Sequence, residues 1–267
     1  MPFTQLLILA LIQGVTEFLP ISSSGHLILL PNLTGMQDQG QVIDVAVHLG
    51  TLFAVILYFR SDVKDAAVGT LRLATGRIDT PGARLAFLLL VATIPVIVVG
   101  LALKLTGLDD MLRSIAVIGW TMLIFGLVLY WADMRGAQTK DETDWNLRDA
   151  VIMGMWQAVA LIPGTSRSGI TITAARQLGY NRHDGAKLAM LMSIPTIIAS
   201  AVLLGAEVIT TADAQAARDG AIAAVLASAS ALGALWLMMR LLRSVSFTPY
   251  VIYRVILGVV LLWIAYR

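Results

Sequence analysis

The ionisable side chains Glu17, His26, Asp44, His48 and Arg167 fall within or beside long apolar stretches of the sequence. A charge costs about 2.5–3.5 kcal/mol at the centre of a membrane helix, so ionisable groups in such stretches mark function by default. Gln13 and Glu17 lie on one face of a helix, one turn before Pro20. Ser22, Ser23, Ser24 and Gly25 then open a second helix, whose unpaired N–H groups and positive dipole end favour an anion. The stretch Pro163-Gly164-Thr165-Ser166-Arg167-Ser168-Gly169 supplies the same device and adds a guanidinium, which suits bidentate contact with phosphate oxygens. Two helix starts meeting at mid-depth around one Arg would form a phosphate cradle. A carboxylate and an imidazole beside it would make that cradle catalytic, because a histidine moves protons near neutral pH. Each residue also has a purely structural role open to it. Glu17 could simply pair with Arg167, His26 could sit satisfied in an interface, and the serines could act as caps and packing between helices. Asp44 and His48, also on one helical face, read as supporting rather than catalytic.

These residues need elements to position them, and the composition says which. The chain has 267 residues, 58% of them apolar and 13% charged, with a net charge of +2. Soluble domains carry roughly 45–50% apolar and about 25% charged residues. So few charges cannot cover a soluble surface, which excludes a soluble enzyme, a disordered chain and a nucleic-acid binder. The pI near 9.0 does not restore the last of these, because the basic residues sit in short gaps between apolar runs. Cysteine is absent, so disulfides, thiolate nucleophiles and thiolate-bound zinc are excluded. The first fourteen residues lack the basic start of a signal peptide, and their apolar run is expected in the mature protein.

A helix crossing the roughly 30 Å hydrocarbon core needs about 20 apolar residues. Six stretches qualify, at about residues 42–59, 84–103, 115–131, 188–204, 221–239 and 249–266. Two further apolar regions, about 4–30 and 149–177, are broken by the Pro–Ser–Gly motifs above, which stop one helix and cap the next. They are either kinked spans or re-entrant hairpins, and Lys and Arg distribution discriminates, since cytoplasmic loops collect these residues. With both regions as hairpins, thirteen Lys and Arg fall inside and four outside. With the second region as a full span the split becomes ten and seven. The sequence therefore predicts an all-α integral membrane protein with six spans, two re-entrant helix–loop–helix hairpins and both termini outside.

The two broken regions also resemble each other. Residues 13–26 align without gaps on residues 157–170, with five identities in fourteen positions. Gly82-Ala83-Arg84-Leu85-Ala86 parallels Gly185-Ala186-Lys187-Leu188-Ala189 further on, and Ile94-Pro95 parallels Ile194-Pro195. The expected organisation is a single polytopic domain, 1–267, built from approximate repeats 1–131 and 149–267. Entered from opposite sides, the hairpins make an inverted-topology repeat, an architecture that puts binding sites near the bilayer midplane at broken helices. It fits a lipid-phosphate transporter or flippase as well as an enzyme.

The motif QGVTEFLPISSSGH, followed much later by PGTSRSG, resembles the bacterial undecaprenyl-diphosphate phosphatase family, also known for bacitracin resistance. The resemblance covers the whole chain. It implies six spans and two hairpins in inverted repeats, in the bacterial cytoplasmic membrane, with a site opening outward. It also implies hydrolysis of the terminal phosphate of undecaprenyl diphosphate, which recycles the lipid carrier for peptidoglycan and other envelope polymers. Carried over by position, Glu17, Ser22, Ser23 and His26 match the first motif, and Ser166, Arg167 and Thr171 the second. Ser24, Gly25, Gly164, Ser168 and Gly169 would line the diphosphate with them. The family's (Glu/Gln)-x-x-x-Glu pattern reads Gln13-Gly-Val-Thr-Glu17 here, so its first position is neutral. A hard divalent cation, Mg²⁺ or Ca²⁺, is expected on Glu17 with the Gln13 amide oxygen as a weaker ligand. The nucleophile is either Ser23 or a water activated by His26. The expected partners are a polyprenyl diphosphate and the bilayer, and a homodimer is open to the chain.

Overall fold

A computed structural model describes residues 1–34, 40–108, 112–211 and 213–267, with backbone alone at 31–34 and 206–211. Among the described residues the architecture is all-helical: α1 (Phe3–Phe18), α2 (Ser23–Thr34), α3 (Gly40–Tyr58), α4 (Arg60–Ala74), α5 (Pro81–Thr106), α6 (Ile115–Arg135), α7 (Leu147–Val159), α8 (Arg167–Gln177), α9 (Arg182–Thr211), α10 (Ala214–Leu241) and α11 (Thr248–Tyr266). Six of these, α3, α5, α6, α9, α10 and α11, are long and apolar enough to cross a membrane. They coincide with the six expected stretches and run further at several ends, because caps rather than apolarity stop them. Thr80 Oγ1 accepts from the Ala83 N–H and Pro81 fills the first turn of α5, while Ser114 and Asp213 cap α6 and α10 in the same way.

The core is shared by many helices. Phe18, Val55, Leu89, Met153, Ile172, Met190 and Leu235, from α1, α3, α5, α7, α8, α9 and α10, join one buried cluster. The outer surface is apolar as well, with Val98, Val202, Val225 and Ile256 more than half exposed. Lipid tails are as apolar as these side chains, so helix association in a bilayer rests on close backbone approach rather than on water exclusion. The contact of α3 with α10 is of this kind. A Cβ at Gly50 would lie 2.2 Å from the Ala224 carbonyl oxygen.

Charges concentrate at one end of the molecule. Lys187 at the start of α9 pairs with Asp62 of α4 at 2.8 Å and with Glu142 at 2.6 Å. Asp133 at the end of α6 takes Arg176 at 3.0 Å, Arg182 at 2.8 Å and the Phe247 N–H at 3.1 Å. Asp149 accepts from Lys140 at 2.8 Å and from the Tyr180 hydroxyl at 2.7 Å. Burial, joined by that carboxylate, pushes the Tyr180 phenol above its usual range, so it stays a donor. The chain before α7 meets the chain after α8 directly, through a bridge between Lys140 and Tyr180. At the other end the N-terminal amino group pairs with Asp219, at the start of α10. Among the described residues, helix α4 is absent from the sequence expectation. Its Lys, Arg and Asp residues read as a loop, yet they wind into a helix that lies against α5.

Candidate functional site

Both broken regions fold as expected locally. Helix α1 stops at Phe18, before Pro20, and α2 starts at Ser23; α7 stops at Val159 and α8 starts at Arg167. The two turns share a backbone signature. Ser22 has φ 72° and Ser166 φ 71°, and these are the aligned positions of the repeat. Ser22 Oγ accepts from the Gly25 N–H at 3.3 Å, and Ser166 Oγ from the Gly169 N–H at 3.1 Å. Ser24 and Ser168 sit 3.3 Å and 3.1 Å from those same hydroxyls. Ser22 and Ser166 are thus committed as helix caps, and Ser168 Oγ binds the Leu19 carbonyl at 2.9 Å, tying one turn to the other. Thr171 returns its hydroxyl to the Arg167 carbonyl. Gly164 has φ +86°, and a Cβ there would fall 2.2 Å from Thr121 Oγ1, so only glycine fits.

The tertiary fold brings Glu17 and Arg167 together. Arg167 Nη2 donates to Glu17 Oε1 at 2.9 Å, and Nη1 to the Ala189 carbonyl at 3.3 Å. Ser23 Oγ donates to Glu17 Oε2 at 2.7 Å and Gln13 Nε2 to the same oxygen at 2.9 Å. Pairing with Arg167, one of the structural roles open to Glu17, is present together with the Ser23 contact that chemistry needs. The imidazole within ion-pairing distance of Glu17 belongs to His48, at 3.7 Å, and not to His26. His26 turns to the Ser22 carbonyl through Nδ1 at 2.6 Å and to the Tyr253 hydroxyl through Nε2 at 2.5 Å.

Two contributors from α11 do not emerge from the motifs. Tyr253 is the partner of His26. Arg254, fully buried, donates to the carbonyls of Pro20, Gly164, Thr121 and Met122 at 3.1–3.3 Å. It therefore braces both turns against α6. The signal was available, since Arg254 is an ionisable residue inside an apolar stretch, but no motif surrounds it. Among the described residues no cluster of three His, Cys, Asp or Glu side chains stands ready for a metal. Gln13 Oε1 is nevertheless buried without a partner beside the Glu17 carboxylate. One carboxylate plus one amide oxygen suits an ion of the Mg²⁺ type, which keeps waters and takes its other ligands from phosphates.

Residues 6–260 match the profile of the family described as bacitracin resistance protein BacA. The chain belongs to that family. Among curated BacA relatives it is 76% identical over 98% of both chains to the undecaprenyl-diphosphatase of Jannaschia sp. strain CCS1. It is 72% identical over the full length of both chains to that of Ruegeria pomeroyi. The more distant undecaprenyl-diphosphatase of Maricaulis maris is 47% identical over 98% of both. The BacA match spans both broken-helix motifs, five of the long apolar helices and most of the sixth.

Proposed function

We propose that this chain hydrolyses undecaprenyl diphosphate to undecaprenyl phosphate and inorganic phosphate, recycling the lipid carrier. The observation that carries the reading is the convergence of Ser23 and Arg167 on Glu17 from two separate broken helices, in a chain whose relatives carry the name undecaprenyl-diphosphatase. Phosphoryl transfer asks mainly for positioning and charge neutralisation. Arg167 and the N–H groups opening α2 and α8 bind the diphosphate and offset its charge. Ser23 Oγ, held by Glu17, attacks the terminal phosphorus and passes its proton to the carboxylate. The bond to the bridging oxygen breaks, and that oxygen leaves on the lipid phosphate. Water, with His26 as base, then frees phosphate from Ser23. A divalent cation would be held by Glu17 and the Gln13 amide oxygen, and it supplies further neutralisation of phosphate charge.

The reading takes α1–α2 and α7–α8 as re-entrant hairpins of an inverted repeat, with the site open to the outer face of the bacterial inner membrane. Supporting it, the Lys140–Tyr180 bridge joins the chain on either side of α7–α8 at the charged end. Met1 meets Asp219, and a Cβ at Gly220 would lie 3.2 Å from Ala46, so the chain before α1 and the start of α3 both meet the start of α10. The thirteen-to-four split of Lys and Arg assigns the charged end to the cytoplasm.

The deciding experiment is phosphate release from a polyprenyl diphosphate by the purified protein in detergent, with and without chelator. Turnover is expected in the wild type and lost in Glu17→Ala and Arg167→Ala. Absence of wild-type turnover, or equal turnover in the variants, refutes hydrolysis. Dependence on Arg167 seen only as lipid movement in sealed vesicles would instead identify a transporter.

A further inference from the structure

His26 carries its proton on a defined nitrogen. The Ser22 carbonyl can only accept, so Nδ1, 2.6 Å away, bears the hydrogen. In the neutral ring Nε2 is then a lone pair, and the hydroxyl 2.5 Å from it, Tyr253 Oη, must donate. The two rings also stack, with centroids 5.7 Å apart and planes 10° from parallel. Tyr253 is not a loose surface tyrosine despite being 42% exposed. Its neighbour Arg254 is clamped by carbonyls of both broken-helix turns and of α6, so the α11 backbone at this level is held against the turn that leads into α2.

We propose that Tyr253 is a positioning residue for His26: its hydroxyl holds the Nε2 lone pair and its ring sets the imidazole plane, so that the base waits neutral in one tautomer, and the hydroxyl gives Nε2 up to the attacking water, whose proton Nε2 then takes. The proposal rests on the hydrolytic reading, in which His26 serves the water step. Removing the hydroxyl while keeping the ring leaves the stack and the Ser22 bond intact but frees the lone pair to solvent. The reaction then loses orientation of its base, not substrate affinity.

Tyr253→Phe in the full-length protein tests this. The expected result is a kcat about tenfold lower with KM unchanged, a fraction of the 10²–10⁴ that a general base contributes. In a His26→Gln background the same substitution is expected to cause no further loss, since its effect passes through the imidazole. The chain has three histidines, so ¹⁵N-histidine labelling, assigned with His26→Gln, follows the His26 Nε2 resonance directly. That resonance should move downfield in Tyr253→Phe as its hydrogen bond is lost. Wild-type kcat in Tyr253→Phe, equal losses with and without His26, a rise in KM alone, or an unmoved Nε2 resonance would each overturn the proposal. Failure of hydrolysis itself would appear separately, as no phosphate released by the wild type, and the resonance can be read in either case.

Discussion

Glu17 concentrates the site's chemistry in one side chain, because Arg167, Ser23 and Gln13 all donate to it and His48 stands 3.7 Å away. Neutralising it without changing its shape isolates the charge. Glu17→Gln should lower phosphate release by about 100-fold or more with helicity unchanged by circular dichroism; a variant within tenfold of wild type would remove Glu17 from the mechanism. Ser23→Ala removes the proposed nucleophile and should cost about a thousandfold in kcat, whereas Ser22→Ala removes a cap and should act mainly on stability, by about 1 kcal/mol. A comparable kcat loss in both would contradict this division of labour. Gln13 offers the opposite experiment. Gln13→Glu adds a second carboxylate beside Glu17 and should shift half-maximal activity to a lower Mg²⁺ concentration, read by titrating metal into chelator-treated enzyme. An unchanged midpoint would dissociate Gln13 from the cation.

At the level of elements, the broken helices must be held against each other, and this falls to α11 and α6. Arg254 donates to Pro20 in the first turn and Gly164 in the second. Arg254→Met would leave four buried carbonyls without their donor, at a cost of about 1–3 kcal/mol for each acceptor left unsatisfied. The expected outcome is a lower melting temperature in detergent together with loss of turnover, and an intermediate result for Arg254→Lys, whose single ammonium cannot span both turns. A Met variant that melts like wild type would show that the brace is dispensable. Gly164→Ala should be nearly as damaging, because its φ of +86° and the 2.2 Å approach to Thr121 leave a methyl no room. Gly164 stands out in the sequence as part of its motif, whereas Arg254 does not. Arg254 and His48 obey the same rule that picks out Glu17, but Tyr253 looks like an ordinary member of an apolar helix until a partner helix faces it.

For the molecule as a whole, the asymmetry of charge becomes a physical end of the bundle. Asp133, Asp149 and Lys187 knit together the connections that the Lys and Arg count assigns to the inside. Single-cysteine labelling can test the orientation cleanly, since the native chain contains no cysteine. In intact cells Arg77→Cys should resist an impermeant maleimide applied from outside, while Arg218→Cys should react. Reversal of that pattern would invert the topology and turn the site to the cytoplasm.

The sequence by itself determined the solvent, the six long helices, the two breaks and most of the residues worth mutating. Composition and hydrophobic length respond to the bilayer alone, and Pro, Gly and Ser act on their own backbone within a few residues. Only the tertiary structure decided who meets whom. Glu17 and Arg167 are 150 positions apart, and local rules carry no information across that distance. Nor could they choose between His26 and His48 as the neighbour of the carboxylate, because both lie on helical faces near apolar turns. That choice depended on how α3 and α11 pack around the broken helices, which sets His48 toward Glu17 and His26 toward Tyr253.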